Sequence, residues 1–241
     1  MGEPLPRPAT LILVRHGHIA GNSLSEARMS GWTDFPLSDL GWRQTAALRR
    51  RMAQEPPAAA RYASPLRRAR DTAEALAGLP LGPLHLLDDL REAHCGEVDG
   101  WPISEARRCY PDLWDANLLQ ADESFRWPGG ESYRELRERC LRAIEEIAAA
   151  HPGERAVVVT HAGVISQVLN ALHGIGPERW NNFRPGNCSL TEVEWGRGGG
   201  TLVRFDDRSH LVGLEEAGKG KDSRDIKDIK DEEAPSLLSS S

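Results

Sequence analysis

The sequence predicts a three-layer α/β/α sandwich with a mostly parallel central sheet and helices on both faces. Short apolar runs alternate along the chain with segments of helical period, which is the pattern of repeated βαβ units. The runs at residues 11–14 and 156–159 are continuously apolar, as expected for strands covered on both sides. A chain of 241 residues can bury one sizeable core, so we expect a single main domain with short extensions.

The first half of the sheet is predicted from two pairs of a strand and a helix. Residues 11–14 form the first strand. The next helix is expected to begin at Ser38, whose hydroxyl can cap it, and to end before the prolines at 56–57. Residues 61–64 are a short strand candidate, and the helix that follows them is expected to end at Gly78.

The second half contains the clearest helix pattern of the chain. Apolar residues recur at three- and four-residue steps over 132–150, and the first residue of this range is a serine that can cap the helix. The buried strand at 156–159 follows, and then a helix that stops at Gly174. Residues 189–195 and 201–205 predict an antiparallel hairpin at one edge of the sheet.

The domain organisation follows from where the composition changes. We expect an N-terminal extension at residues 1–9, a main domain over 10–212 and a small cap on this domain at about 97–130. From residue 218 onward the chain is rich in charges and serine and has almost no core-forming residues. Residues 218–241 are therefore predicted to be a disordered tail, with a partner-binding amphipathic helix at its Ile-Lys-Asp repeat as the alternative.

Composition excludes several classes of function. A formal net charge of -6 argues against non-specific nucleic-acid binding, which needs a basic face. The four cysteines have no C-x-x-C spacing, so we expect reduced thiols rather than a zinc cluster or a redox pair. No segment approaches the roughly 20 apolar residues of a membrane span, and the N-terminus lacks a secretory pattern. We therefore expect a cytoplasmic protein without nucleic-acid or membrane partners.

Two predicted strands end in the same way. The sequences VRHG at 14–17 and VTHAG at 159–163 each place a histidine two residues after the last residue of an apolar run. In an open α/β sheet the ligand site lies beyond the carboxyl ends of the strands, where helix N-termini present unpaired N–H groups. His16 and His161 are therefore expected to face one pocket, and Gly17 would let an anion approach the backbone closely.

Further motifs occur in a fixed order along the chain. They are LVRHG, Asn22, SGWTDFPLSDLGWRQTAAL, SPLRRARDTAE, LREAHCGEVDG, PGGES and VVVTHAG. In this order they resemble the histidine phosphatase superfamily, also called the phosphoglycerate mutase-like branch, over residues 11–195. The resemblance implies an α/β/α sandwich, a covalent phosphohistidine intermediate, and no metal or other cofactor. It makes residues 10–212 the histidine phosphatase domain.

The chemistry of phosphate esters agrees with this resemblance. A neutral imidazole is a competent nucleophile near pH 7, and His16 is the expected nucleophile. The planar fork of arginine suits phosphate oxygens, so Arg15 and Arg68 are expected to bind the phosphate, with His161 as the fourth wall of the site. The family pattern Ser-Pro-Leu-x-Arg-Ala selects Arg68 over Arg67, which is expected to be solvated.

Three further residues complete the predicted phosphate site. Gly17 and Ala162 lie where the backbone leaves the two strands, and Asn22 follows RHG at the family position. The amide of Asn22 can donate to the phosphate, although a role in stabilising a turn is the alternative. His16 and His18 are spaced like a pair of metal ligands, but no third ligand occurs at a recognisable spacing, so no metal is expected.

The alkoxide of a phosphate ester leaves poorly unless a general acid protonates it. A carboxyl group can serve as this acid, and its carboxylate can then take a proton from the attacking water. The candidates are Asp88, Asp89, Glu92, Glu97 and Asp99. The resemblance to the family motif Leu-x-Glu-x-x-x-Gly selects Glu92. Glu97 and Asp99 are expected on the surface. Glu131 precedes the Ser132 cap, so it is expected either to have a structural role at the start of the helix over 132–150 or to support residues of the site.

The same set of site residues can catalyse two reactions, phosphoryl transfer in mutases and hydrolysis in phosphatases. In mutases of this family a longer insertion closes over the site, whereas the corresponding stretch at 93–130 is comparatively short here. This difference favours a phosphatase that acts on a small phosphorylated metabolite. The sequence resembles broad-specificity phosphatases and α-ribazole phosphatases about equally. A mutase-type phosphoryl transferase and a non-catalytic phospho-ligand binding or relay protein remain the alternatives, and a homodimer is left open. The aromatic residues of the cap are expected to form its core rather than a stacking platform.

Overall fold

The computed structural model describes residues 7–23 and 27–214, with the side chains of residues 22 and 23 left undescribed. The predicted tail at 218–241 and most of the predicted N-terminal extension lie outside the described residues. Within the described ranges, no helix has the length and apolar character needed to span a membrane. The four cysteines all lie in these ranges, and none of them forms a disulfide there.

The centre of the fold is a mixed six-stranded sheet. The order of its strands is β3-β2-β4-β1-β5-β6. The strands are β1 (Ala9–Arg15), β2 (Ala60–Ala63), β3 (Leu84–Leu86), β4 (Arg155–Thr160), β5 (Leu190–Gly196) and β6 (Gly199–Asp207). Strands β3, β2, β4 and β1 are parallel to one another. Strand β5 is antiparallel to β1 and forms the antiparallel edge hairpin with β6. The predicted fold class is confirmed.

The described residues form six α-helices. They are α1 (Asp39–Met52), α2 (Arg67–Glu74), α3 (Ile103–Cys109), α4 (Pro111–Leu119), α5 (Tyr133–Ala150) and α6 (Ala162–Leu172). The predicted caps at Ser38 and Ser132 are both present, because each hydroxyl accepts a hydrogen bond from a backbone N–H in the first turn. At Ser132 this bond is part of a full capping box with Glu135.

The alternation of side chains along the strands divides the core into two layers. Leu11 and Leu13 of β1, with Val158 of β4, pack on α5 and α6. Ile12 and Val14 point the other way and pack on α1 and α2. Since both faces of these strands are buried, their continuous apolar runs are explained.

The cap predicted at about 97–130 has a small core of its own. Trp114, Phe125 and Trp127 are buried together with apolar residues of α3 and α4. The expectation that these aromatic residues form a core is therefore confirmed. Trp114, Phe125 and Trp127 also border the large cavity described below, so the same rings shape its wall.

Two boundaries differ from the prediction. Helix α2 ends at Glu74 instead of continuing to Gly78. Arg61 donates to the carbonyl of Ala73 in its last turn, and Arg49 donates to the carbonyls of Ala75 and Ala77 just beyond it. The edge hairpin is tighter than predicted, because β5 and β6 extend through their glycines and pair Gly196 with Gly199. Strand β3 is only three residues long, and the sequence pattern did not indicate it.

The register of the sheet places three strand ends side by side. Arg15 at the end of β1 lies opposite Thr160 at the end of β4, and Ala63 of β2 lies opposite Val159. The residues that follow these strands, His16, His161 and Ser64, must therefore meet at one edge of the sheet.

Candidate active site

His16 is held in one tautomer by its own neighbour in the chain. Its Nδ1 atom lies 2.7 Å from the carbonyl oxygen of Gly17. A carbonyl oxygen only accepts, so Nδ1 carries the ring proton and the lone pair is on Nε2. The main chain of His16 is also anchored, because its N–H donates to Thr160 and its carbonyl accepts from the side chain of Asn187.

His161 lies beside His16, with the two ring centroids 5.1 Å apart. Arg68 Nε donates to His161 Nδ1 at 3.2 Å, so the proton of this imidazole is on Nε2, which donates to Ser64 Oγ at 2.8 Å. Both ring nitrogens therefore already have protein partners. A direct contact between His161 and a phosphate, which stays a prediction, would require one of these hydrogen bonds to be exchanged.

Arg68 is the most deeply buried cation of the site, with 1% of its surface exposed. Besides His161, its guanidinium donates to the backbone carbonyls of Ser30, Gly31 and Thr33. The side chain thus ties α2 to the loop at 30–33 while bringing a permanent charge next to both histidines. Its predicted role in binding phosphate remains a prediction. The neighbouring Arg67 is exposed, as expected.

The electrostatic environment keeps both imidazoles neutral. Burial, followed by the charges of Arg68 and Arg15, holds the pKa of His16 well below its ordinary value of 6.5. Burial and the charge of Arg68 lower the pKa of His161 in the same direction. The form of His16 with a lone pair on Nε2 is therefore the dominant one at neutral pH.

Glu92 reaches the same edge of the sheet from the segment after β3. Its Oε2 accepts a hydrogen bond from the N–H of Gly163 at 3.1 Å, in the first turn of α6, and its Oε1 accepts from Ala93 N. The N-terminus of a helix favours a negative charge, which suits a carboxylate at this position. The structure thus brings Glu92 next to the segment that carries His161.

A cavity of about 880 Å³ opens in front of these residues. Arg15, Glu92, Ala162 and Gly163 contribute to its wall. His16 is only 4% exposed, and Arg68 and His161 are also buried; none of the three contributes to the cavity wall. Arg15 is half-buried, and its Nη1 donates to the carbonyl of Pro185 at 2.9 Å.

The backbone residues of the predicted phosphate site have different surroundings. The N–H of Gly17 donates to Thr72 Oγ1, and an added Cβ would lie 2.9 Å from the carbonyl oxygen of Gly41. The glycine is thus explained by close packing on α1, whereas phosphate binding at Gly17 stays a prediction. Ala162 is the first residue of α6 and borders the cavity. The side chain of Asn22 lies outside the described residues.

One of the rejected acid candidates is not where the sequence placed it. Asp99 was expected on the surface, but it is partly buried and its carboxylate accepts hydrogen bonds from the N–H groups of Gly31, Trp32 and Thr33. The surface expectation was wrong because a loop turning back on itself needs an acceptor for these N–H groups. Glu97 is exposed, as expected.

Glu131 has a structural role, although not at the helix start. The capping box uses Glu135 instead, and Glu131 pairs with Arg139 of α5. The remaining acid candidates also bind arginines, Asp88 with Arg91 and Asp89 with Arg142.

The structure also tests the metal interpretation of His18. His18 is buried, and its Nδ1 atom is 2.8 Å from Ser38 Oγ. Over residues 7–23 and 27–214 no cluster of three or more His, Cys, Asp or Glu side chains could hold a metal ion.

Two contributors to the site were not predicted. Ser64 holds His161, and the signal for it was a small polar residue placed directly after a strand, like the two histidines. Asn187 holds the carbonyl of His16 from a segment more than 170 residues away in the sequence, and no local pattern indicated it.

The fold and the site together define the class of the protein. Two histidines, two arginines and a carboxylate lie at the carboxyl edge of the parallel strands, which is where open α/β sheets bind their ligands, and the charges of the arginines suit a phosphate group. A sequence model of the histidine phosphatase superfamily (branch 1) matches residues 11–208, and the chain belongs to this superfamily. The resemblance drawn from the sequence motifs is confirmed.

Relatives of known name agree with this membership. The chain is 34% identical over 218 residues to a metal-independent phosphoserine phosphatase of Arabidopsis thaliana, a match that covers 89% of each chain. It is 34% identical over 183 residues to a glucosyl-3-phosphoglycerate phosphatase of Mycolicibacterium vanbaalenii, covering 72% of this chain and 78% of the relative.

The structural comparison extends to solved folds. The structure of YhfR from Bacillus stearothermophilus superposes with a TM-score of 0.77 at 30% identity, covering 84% of this chain and 99% of that one. Family membership and the phosphatase relatives identify the chain as a phosphoric monoester hydrolase.

Proposed function

We propose that this chain hydrolyses small phosphate monoesters through a covalent phosphohistidine on His16, without a metal ion. The observation that supports this most directly is the hydrogen bond from His16 Nδ1 to the carbonyl of Gly17 at 2.7 Å. It leaves a lone pair on Nε2 directly after β1, where Arg68 and Arg15 supply positive charge. Glu92 is held nearby along the sheet edge, at the first turn of α6 after His161. A nucleophile, counter-charges and an acid are thus available at one place.

In the first step, Nε2 of His16 attacks phosphorus. A P–N bond forms and the ester P–O bond breaks, while protonated Glu92 gives its proton to the departing alkoxide. The negative charge of a bound phosphate favours the protonated form of a neighbouring carboxyl group. Arg15 and Arg68 neutralise the charge on the transferring group, with Gly17, Asn22, His161 and Ala162 as the further predicted contacts.

In the second step, water replaces the histidine. Glu92, now a carboxylate, takes a proton from the water as its oxygen attacks phosphorus. The P–N bond breaks, inorganic phosphate leaves and neutral His16 is restored. The same carboxyl group therefore serves as acid and then as base, and the net reaction consumes one water for each ester.

The size and lining of the cavity support a small metabolite as the substrate. A volume of about 880 Å³ is within the range of small-molecule sites. Aromatic rings of the cap and basic side chains such as Arg28 border it, which suits an organic phosphate rather than inorganic phosphate alone. The names of two relatives specify phosphoserine and glucosyl-3-phosphoglycerate, both small phosphate monoesters. We propose a broad-specificity or α-ribazole phosphatase-like substrate range.

The proposal is tested by phosphate release from p-nitrophenyl phosphate in excess EDTA, with wild type compared with His16→Ala. Samples quenched in alkaline detergent are analysed in parallel for a phosphoprotein that is stable to base and labile to acid. We expect rapid release that continues in EDTA, is lost in His16→Ala and is accompanied by a phosphoprotein only in wild type.

Other outcomes would contradict the proposal in different ways. Activity that survives without His16 would remove the phosphohistidine mechanism. A phosphoprotein that forms but reacts slowly with water would instead indicate a mutase or a phosphohistidine relay. Loss of activity in EDTA that is restored by a divalent cation would show that the reaction depends on a metal.

A further inference from the structure

Glu92 is carried by a segment with little regular structure of its own. Between β3 and α3 the chain forms only two single turns of 3-10 helix, at Asp88–Leu90 and Gly96–Val98, and Glu92 lies between them. A general acid must be held within a few tenths of an ångström of its working position. The rigidity of this segment must therefore come from other parts of the fold.

We propose that Arg139 of α5 is the positioning residue for Glu92. This inference rests on the proposed role of Glu92 as the general acid. Arg139 Nη1 donates to the carbonyls of Asp89 and Arg91 at 2.9 and 2.6 Å, and Nη2 donates to the carbonyl of Glu92 at 2.8 Å. One guanidinium thus binds three backbone carbonyls within four residues, the last of them on Glu92 itself.

Glu131 binds the chain on the other side of Glu92. Its carboxylate accepts from Arg139 Nε and Nη2 at 2.8 and 2.5 Å in a bidentate pair. The same carboxylate accepts from the N–H of His94 at 2.7 Å. The Arg139–Glu131 pair therefore holds the chain both before and after Glu92.

The charge balance of the pair explains why it can be buried. The side chains of Arg139 and Glu131 are 11% and 15% exposed. A buried guanidinium is costly unless its charge is neutralised and its donors are satisfied, and here the five N–H groups match five hydrogen bonds. Lysine has one nitrogen and could not reach the three carbonyls and the carboxylate together.

A second donor acts on the same carbonyl group. Trp32 Nε1 donates to the carbonyl oxygen of Glu92 at 2.7 Å, in addition to Arg139. The carbonyl of Glu92 is thus fixed from two directions, by α5 and by the loop that Arg68 holds. With its main chain fixed, Glu92 has few orientations left, and its carboxyl group accepts the hydrogen bond from the N–H of Gly163.

The experiment uses the dependence of the rate on the leaving group. An alkyl phosphate such as glycerol 3-phosphate or phosphoserine needs protonation of its leaving oxygen, whereas p-nitrophenolate leaves without a proton. Values of kcat/KM for both types of ester are measured for wild type, Arg139→Lys, Arg139→Gln and Glu131→Gln. The matched control is Arg142→Gln, because Arg142 lies on the same helix and binds the same segment only through the side chain of Asp89.

We expect Arg139→Lys and Arg139→Gln to lower kcat/KM for the alkyl ester by about 30-fold or more, since acid catalysis supplies roughly 10²–10⁴ of the rate. The aryl ester should change by about threefold or less. Glu131→Gln keeps the shape and the acceptor oxygen, so we expect a smaller selective loss of about tenfold. Arg142→Gln should change both esters by less than about twofold.

Equal losses on both esters, or no loss, would overturn the inference. If the Arg139 variants do not fold, Glu131→Gln decides by the same criterion. Glu92→Gln is measured alongside them to separate two kinds of failure. A selective loss in Glu92→Gln without one in the Arg139 and Glu131 variants would overturn the positioning role alone. No selective loss in Glu92→Gln would remove the acid role from the proposed function, and the inference with it.

Discussion

His16 Nδ1 donates its proton to the carbonyl oxygen of Gly17, 2.7 Å away. The partner that sets the tautomer is thus the next residue in the chain rather than a distant carboxylate. No change of charge elsewhere in the site can reverse this assignment, because a carbonyl oxygen is always an acceptor. The reactive lone pair on Nε2 is therefore available at any pH at which the ring is neutral.

The first prediction concerns the pH dependence of catalysis. Because burial and the charges of Arg68 and Arg15 hold the pKa of His16 well below 6.5, the neutral nucleophile persists in acid. We expect kcat/KM for p-nitrophenyl phosphate to stay near its pH 7.5 value at pH 6.5 and to fall only below that. Profiles from about pH 4.5 to 8 test this, and a half-loss at or above pH 6.5 would contradict it.

The pH profile of kcat/KM also shows which charge lowers the pKa of His16. Removing the charge in Arg68→Gln should move the acidic limb to higher pH, since a nearby cation disfavours a protonated imidazole. Arg50→Gln removes a charge from an exposed position of α1 and should leave the limb in place. An equal displacement in both variants would indicate a general effect of net charge.

The second prediction concerns stability. Burial lowers the pKa values of His16, His161 and His210 in the folded state, most strongly at His16 and His161. As pH falls below 6.5, the unfolded chain therefore binds protons at these positions that the folded chain does not. Their contribution is fully present above about pH 6.5 and is lost toward the folded pKa values. Each histidine lowers the free energy of unfolding by about 1.4 kcal/mol per pH unit in this window.

Urea denaturation at pH 7.5 and pH 5.5 measures this decrease in the free energy of unfolding with falling pH. His161→Asn has one buried imidazole fewer and should lose about a third to a half of the wild-type decrease. The exposed His85→Asn should show the wild-type decrease. If His161→Asn loses as much free energy of unfolding between pH 7.5 and pH 5.5 as wild type, the decrease comes from other titratable groups.

The third prediction compares two adjacent arginines. Arg68→Lys loses the fork that binds the loop at 30–33 and His161, so we expect the free energy of unfolding to fall by about 2–4 kcal/mol. We expect kcat/KM to fall by about 10² or more. Arg67→Lys changes an exposed side chain paired with Asp71 at 3.3 Å and should cost less than about 0.5 kcal/mol. Similar effects of the two changes would mean that the buried contacts contribute little.

The predicted elements that proved accurate are those set by local chemistry. The strands at β1 and β4 are continuous β-branched or aliphatic runs, and the residue after each run is placed by the strand itself. Pairing β1 and β4 in register therefore brought His16 and His161 together as expected. Ser132 was predictable as a cap because hydroxyls favour this position in any helix.

The features that were missed depend on contacts between distant segments. Asp99 binds three N–H groups of a loop nearly 70 residues away, and nothing in its own neighbourhood indicates those donors. Glu131 was expected to serve the start of α5, but its partner is Arg139, two turns further along. The arginines of α5 look alike in sequence, and only the fold distinguishes Arg139 from Arg142.

The last prediction uses a glycine to test the position of Glu92. A Cβ added at Gly163 would lie 2.1 Å from Glu92 Oε1, which no real contact allows. Gly163→Ala must therefore displace the carboxyl group, although alanine favours the helix itself by about 1 kcal/mol. We expect kcat/KM for alkyl phosphates to fall by about 10² and that for p-nitrophenyl phosphate by much less, measured with both esters.

The matched control is Gly196→Ala. A Cβ there would lie 3.4 Å from Pro8, which neighbouring atoms can accommodate, so both esters should keep their rates within about twofold. Gly163→Ala adds no charge and removes no hydrogen-bond donor, so a selective loss on alkyl esters would come from the displaced carboxyl group. An equal loss on both esters would instead mean that the α6 N-terminus acts on the transferring phosphoryl group, and the acid would have to be sought elsewhere.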